Sequence, residues 1–290
     1  MSNQSHHIRK VAISAIFLSL ALVVRLLFSF YIPLFGAGGI RIGLWNVFAF
    51  MPSLFFGPIY GAIVALLFDL LGFMLRPSGS FLPMMTLVVT LGGFVRGFLW
   101  MKLKNKNTTL LRASLLLFVV ALVGLGLLNM VHLRADGVDA AIFAAGEVYT
   151  GDMNFISRLL VERSLADPDP AASLPRFVIM VTSALIGSGA FAFVLFLADL
   201  LWAKREEKKG RQSKLLPLLI TLLISGMLVN TLNTIVLREM LFDAWQLLPF
   251  FVVWLPRIIV EILTTVVLAY FIALLFGIFE KQEHLSNLIK

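Results

Sequence analysis

Asp69 is the only charged residue in the apolar run 58–75, and a carboxylate inside a membrane span needs a cavity or a partner. The run begins at a Gly57-Pro58 break and continues through Gly61 and Gly72. It then gives way to Arg76-Pro77-Ser78-Gly79-Ser80-Phe81-Leu82-Pro83 before a second apolar helix starts. A turn of this composition keeps its backbone groups satisfied only at a membrane face or inside a cavity, because lipid offers them no partner. Asp69 has two readings: a polar anchor for a ligand, or a hydrogen bond to a neighbouring helix.

Further donors and acceptors are spread along the chain. Arg25, Arg41, Arg76 and Arg257 map toward one membrane side, and a guanidinium fork matches the geometry of a carboxylate-bearing ligand. The plainer readings are snorkelling to headgroups and, for Arg257, an ion pair with Glu261 four residues on. Asn230, Thr231, Asn233 and Thr234 suit a heterocyclic ligand, and they equally suit helix–helix adhesion. Phe81, Trp45, Trp245 and Trp254 could stack on a flat ring or form an interfacial aromatic belt. Ala15 and Ser19 form a small-xxx-small pair, as do Gly57 and Gly61; helix contacts within the chain require the same residues.

Other chemistries lack their residues. The chain has no cysteine, no phosphate-binding loop of the Walker type, and no paired histidines with glutamate at metal spacing. Serine, histidine and acid residues do not assemble into a triad. The reading is a non-enzyme without catalytic residues, metal or cofactor, for which any ATP energy comes from another chain.

The elements that position these groups are membrane helices. Hydrophobic residues make up 60% of the 290-residue chain and charged residues 14%, where a soluble domain holds about a quarter. Apolar runs able to cross about 30 Å of hydrocarbon recur at 9–31, 44–56, 58–75, 83–101, 111–131, 176–202, 214–237 and 250–279. The second is short, and the second and third together read as a kinked pair. The expected fold is all-α: a polytopic bundle of about eight spans.

The net charge of +8 does not indicate nucleic acid, because the basic residues cluster in Arg9-Lys10, Lys102 to Lys106 with Arg112, and Lys204 to Lys214, just outside apolar runs. That placement predicts a cell-membrane protein with both termini and these loops cytoplasmic. The segments 32–43, 76–82, 132–175 and 238–249 then lie outside and contain no lysine. Met1 to Lys10 leads into an uncleaved first helix. Within 132–175, residues Asn154 to Leu165 read as a short amphipathic helix ended by Asp167-Pro168-Asp169-Pro170, and the segment as either a cap or a solvated connector.

Several of these motifs together resemble a known family. Ile40-Arg41-Ile42-Gly43, Met51-Pro52, Gly57-Pro58-Ile59-Tyr60-Gly61, Asp69-Leu70-Leu71-Gly72 and Pro77-Ser78-Gly79-Ser80-Phe81-Leu82-Pro83 resemble the substrate-binding S components of energy-coupling-factor (ECF) transporters, most closely the folate-type branch. Asn230-Thr231-Leu232 and Pro256-Arg257-Ile258-Ile259 are similar to that branch's last two helices. The resemblance covers about 40–104 and 214–280 and implies a six-helix S-component core. On it the chain divides into 1–104, an inserted transmembrane hairpin 105–213, and 214–290. It further implies capture of a vitamin-like small molecule, folate-like above all, and docking on a membrane scaffold subunit with two cytoplasmic ATPases. Arg25, Arg41, Asp69, Phe81, Thr86, Asn230 and Arg257 become the candidate substrate-binding residues, and Ala15 and Ser19 the candidate scaffold contact. The family commonly follows its proline with Gly-Phe-Thr, whereas this chain has Pro83-Met84-Met85-Thr86, which alters a cavity wall. The competing readings are an ion-coupled secondary transporter using Asp69 or Glu261, and a membrane scaffold without transport.

Overall fold

A computed structural model describes residues 3–28, 30–34, 37–77, 80–106, 108–135, 170–207, 214–246 and 250–279. In chain order the elements are α1 (Asn3–Leu27), β1 (Phe30–Leu34), β2 (Ala37–Ile42), α2 (Asn46–Phe56), α3 (Pro58–Leu75), α4 (Pro83–Leu103), α5 (Thr108–Ala135), α6 (Pro170–Glu207), α7 (Leu215–Met240), α8 (Asp243–Gln246) and α9 (Phe250–Phe279). Among the described residues seven helices are long and apolar enough to cross a membrane, and the chain is a multi-pass helical membrane protein. The short run at 44–56 is α2, whose 11 residues reach only about 16 Å.

The first helix ends at Leu27 rather than extending to 31. From Phe30 the chain forms an antiparallel hairpin, with Phe30 opposite Ile42 and Tyr31 opposite Arg41. The extended preference of aromatic and β-branched residues wins here, since Phe30-Tyr31-Ile32 precedes Pro33, which lacks the N–H that a helix interior uses. The segment expected as a plain outer connector, 32–43, is therefore largely hairpin, and β2 packs against α9. The proposed helix at Asn154 to Leu165 and the cap it would form lie outside the described residues.

The chain forms two compact units, Met1–Lys106 with Lys214–Lys290 and Asn107–Ser213. In the first, α2 and α3 are joined by Gly57 alone, whose φ of +91° is a left-handed conformation that favours glycine. Pro58 then starts α3, where its missing N–H costs nothing. Helices α3 and α4 run antiparallel in close contact. A Cβ on Gly61 would strike the Gly93 carbonyl, one on Gly93 the Gly61 carbonyl, and one on Gly97 would lie 2.6 Å from Pro58 N. Gly57 and Gly61 thus face Gly93 and Gly97, so the small-residue pair read at Gly57 and Gly61 serves packing within the chain.

Aromatic rings close the end of this unit near Gly57. Phe55 lies edge-on to Phe17 of α1 at 5.9 Å and to Phe276 of α9 at 4.9 Å, and Phe276 meets Trp100 of α4 at 5.5 Å. Higher in the unit, Trp45 is buried among Leu18, Ala21, Ala49, Val64 and Phe68. Trp245 is fully buried beside Leu237 and Val253. Neither tryptophan belongs to an interfacial belt; both fill the core.

The second unit is the antiparallel pair α5 and α6. Gly126 admits Leu185 and Ile186, and Gly189 admits Val123. Arg112, read from the sequence as part of a basic loop, instead lies inside α5 and forms an ion pair of 2.9 Å with Asp199 of α6. The acid is on another helix 87 positions away, which the linear charge pattern does not reveal.

Gly93→Ala is expected to lower the apparent unfolding temperature in detergent, because overpacking costs roughly 1–3 kcal/mol where backbone cannot yield. Gly124 has nothing within 4 Å of an added Cβ. Gly124→Ala should leave stability unchanged or raise it by about 0.5–1 kcal/mol. Equal effects of the two changes in thermal unfolding would show that the glycine contact does not set the α3–α4 spacing.

Candidate functional site

Two polar layers lie inside the first unit, and α4 contributes to both. The upper layer is built around Asp69. Thr86, buried near the start of α4, donates its hydroxyl to Asp69 Oδ2 at 2.7 Å. Arg25 reaches across from α1, donating through Nη1 to the Phe68 carbonyl at 3.3 Å with its guanidinium 5.0 Å from the Phe68 ring centroid. It is within electrostatic range of Asp69. Gly72 leaves room for this guanidinium, which any Cβ there would strike. Two neighbouring helices, α4 and α1, thus supply the α3 carboxylate with a hydroxyl and a nearby positive charge.

The lower layer is built around Asn230 on α7. Its Nδ2 donates to the Arg257 carbonyl at 3.2 Å and, at a longer 3.4 Å, to Glu261 Oε2. Its Oδ1 accepts from Arg257 Nε at 3.2 Å. The amide therefore sits between the two charged residues, and among the described residues they form no direct ion pair. The pair expected from their four-residue spacing is replaced by this bridge, since both side chains turn toward α7. Thr265 Oγ1 donates to the other Glu261 oxygen, Oε1, at 3.3 Å. Gly226 clears space for the carboxylate, whose Cδ would lie 3.0 Å from a Cβ there.

Arg96 completes the lower layer from α4. It is only 6% exposed, and its guanidinium lies 3.3 Å from the Phe50 ring centroid. Both Arg96 and Arg257 are within electrostatic reach of Glu261. Above them, Arg257 lies 5.9 Å from the Trp245 ring. Trp245 is carried by α8, a single turn that Arg238 ties down by donating to the Trp245 and Gln246 carbonyls. Four buried polar atoms of this region have no hydrogen-bond partner among the described residues: Arg96 Nε, Arg257 Nη1, Trp245 Nε1 and Asn233 Oδ1.

The structure groups Arg25, Asp69 and Thr86 in the upper layer, and Asn230 and Arg257 in the lower. Phe81, 41% exposed, sits at the α3–α4 turn with its ring 5.1 Å from Phe73. Arg41 is on β2; its side chain lies outside the described residues. Arg76 is exposed at the end of α3. Ala15 and Ser19 are on the exposed face of α1, and the Ser19 hydroxyl folds back to the Ala15 carbonyl at 2.9 Å. Trp254 donates to Thr231 Oγ1 at 2.9 Å, using the indole N–H within the protein. Of the two methionines, Met85 packs against the Leu237–Trp245–Val253 cluster and Met84 is exposed. Sequence reasoning passed over Arg96, although the signal was the same as at Asp69: one charge among apolar residues at mid-span, here in 83–101.

Residues 9–150 match the family model described as ECF transporter, substrate-specific component. No curated protein and no solved structure matches the chain. The family match takes in α1 to α5, including Asp69, Thr86 and Arg96, and stops before α7 and α9.

The Asp69–Thr86 contact is expected to couple α3 to α4. In a double-mutant cycle of Asp69→Asn and Thr86→Val, unfolding should give an interaction of roughly 0.5–2 kcal/mol, the range of interhelical hydrogen bonds in membranes. Strict additivity would place the two groups in independent roles.

Proposed function

We propose that this chain is the substrate-binding subunit of an ECF-type importer, capturing a vitamin-like small molecule, folate-like above all, from outside the cell. The likeness of residues 9–150 to substrate-specific components supports the class of protein. The observation that carries the binding role is the set of buried polar atoms on Arg96, Asn233, Trp245 and Arg257 that have no partner among the described residues. Buried polar groups are nearly always hydrogen-bonded, so groups left open in a packed bundle favour a ligand as their missing partner. The protein binds and releases, and needs no catalytic constellation to do so.

In this reading Asn230, Arg257 and the buried Trp245 contact the substrate from α7, α8 and α9. Arg25, Asp69 and Thr86 brace the neighbouring helices and, with Arg41 and Phe81, complete the outer side. Both termini in this reading lie in the cytoplasm and the β1–β2 hairpin outside, which the basic character of 102–106 and 204–214 supports. The exposed Ala15–Ser19 face of α1 meets a membrane scaffold subunit, through which two cytoplasmic ATPases act. The ion-coupled alternative, using Asp69 or Glu261, has weaker support because each carboxylate already accepts hydrogen bonds from the protein.

The test is to purify the full chain in detergent from vitamin-replete cells and identify retained small molecules by mass spectrometry. A folate or other vitamin at one equivalent is expected. Arg257→Ala should weaken its binding at least about tenfold while the protein stays folded, since truncating one side of a buried charge contact costs more than about 1.4 kcal/mol. Uptake by the purified chain alone in vesicles under a proton or sodium gradient, with no retained vitamin, would instead establish the ion-coupled reading.

A further inference from the structure

We propose that Arg96, Glu261 and Arg257 form an anion-selecting layer that takes one carboxylate group of the ligand, with Arg96 as a specificity-determining residue. This rests on the capture reading above and adds the charge class of the substrate. Glu261 lies within electrostatic reach of both guanidiniums, Arg257 is tied to it through the Asn230 amide, and Arg96 is buried with its Nε unpartnered among the described residues. Arginine stays protonated in proteins, so the layer has one positive charge left over when Glu261 is ionised. An uncompensated charge in the interior of a membrane bundle is costly, and a ligand of opposite sign removes the cost.

The hydrogen-bond inventory points the same way. Three open groups are donors, on Arg96 Nε, Arg257 Nη1 and Trp245 Nε1, and one is an acceptor, Asn233 Oδ1. Glu261 accepts from Asn230 and Thr265, and none of the three donors bonds to it. A carboxylate is acceptor-only and suits such a surplus. The Phe50 ring covers a face of the Arg96 guanidinium and leaves in-plane N–H edges for a ligand. Among the described residues, Glu239 is 3.7 Å from Arg238 and Asp243 is exposed, so neither supplies the anion.

Charge arithmetic makes the inference testable with the full chain in detergent. The probes are benzoate, its neutral isostere benzamide, and folate. Taking two guanidiniums and one carboxylate as +1, Arg96→Gln brings the layer to zero, Glu261→Gln to +2, and the double change back to +1. Benzoate should bind wild type more tightly than benzamide. Its affinity should rise in Glu261→Gln, fall roughly tenfold or more in Arg96→Gln, and return toward wild type in the double variant. Benzamide should bind all four forms alike. A purely structural role for Arg96 would weaken both probes, and the double variant would not recover. Equal binding of benzoate and benzamide, or benzoate affinity that ignores the charge order, overturns the inference. If folate is retained under that outcome, substrate capture stands without an anion layer. Charge-ordered benzoate binding without any retained vitamin supports the layer and counts against the vitamin-capture reading.

Discussion

The contact between Gly61 and Gly93 governs the first unit. With no side chain on either residue, each backbone lies where a Cβ on the other would intrude on a carbonyl, and the α3–α4 distance is set by main chain alone. The register follows from the same contact. Gly57 opposes Gly97 at one end, and at the other Asp69 comes level with Thr86, close enough for a 2.7 Å hydrogen bond. Small residues at helix contacts permit such close approach in membranes, where burial of apolar surface offers no drive between helices already in lipid.

Helix α4 then couples this pair to the rest of the unit. Gly92, next to the contact glycine, faces Val229 of α7, while Met85 packs into the cluster of Leu237, Trp245 and Val253. Arg96 lies ten residues beyond Thr86, about 15 Å along the helix, at the level where Gly226 makes room for Glu261. The charges of the lower layer therefore come from helices whose spacing is limited by glycines. Asn230 sits between Arg257 and Glu261, its amide oxygen accepting from one and its amide nitrogen donating to the other.

The second unit meets the same constraint more simply. Arg112 and Asp199 are the charged pair of the α5–α6 hairpin, and the acid's side chain is only 4% exposed. Glycine again sets the packing, with Gly126 and Gly189 each admitting an aliphatic side chain of the opposite helix. Both units place isolated charges beside partners on other helices, because hydrocarbon offers no water to solvate a lone ion.

The sequence by itself determined the membrane class, the number and approximate limits of the long helices, and the break at Gly57-Pro58. These follow from composition, run length and local backbone chemistry, all of which act over a few neighbouring residues. It also singled out Asp69, Asn230 and Arg257, because a polar side chain in an apolar run stands out without any structure. Only the tertiary structure decided the partners. Arg112 pairs with an acid on another helix instead of serving a loop, Arg257 reaches Glu261 through Asn230 instead of directly, and Trp45 and Trp245 fill the core instead of facing an interface. The hairpin that replaces the end of the first helix belongs with these, since an apolar stretch rich in aromatic and β-branched residues suits helix or strand alike. The physical reason for the side-chain partners is common to the arginines and the tryptophans: helical rotation and the register between helices decide which side chains meet, and both are set by close packing of residues far apart in the chain.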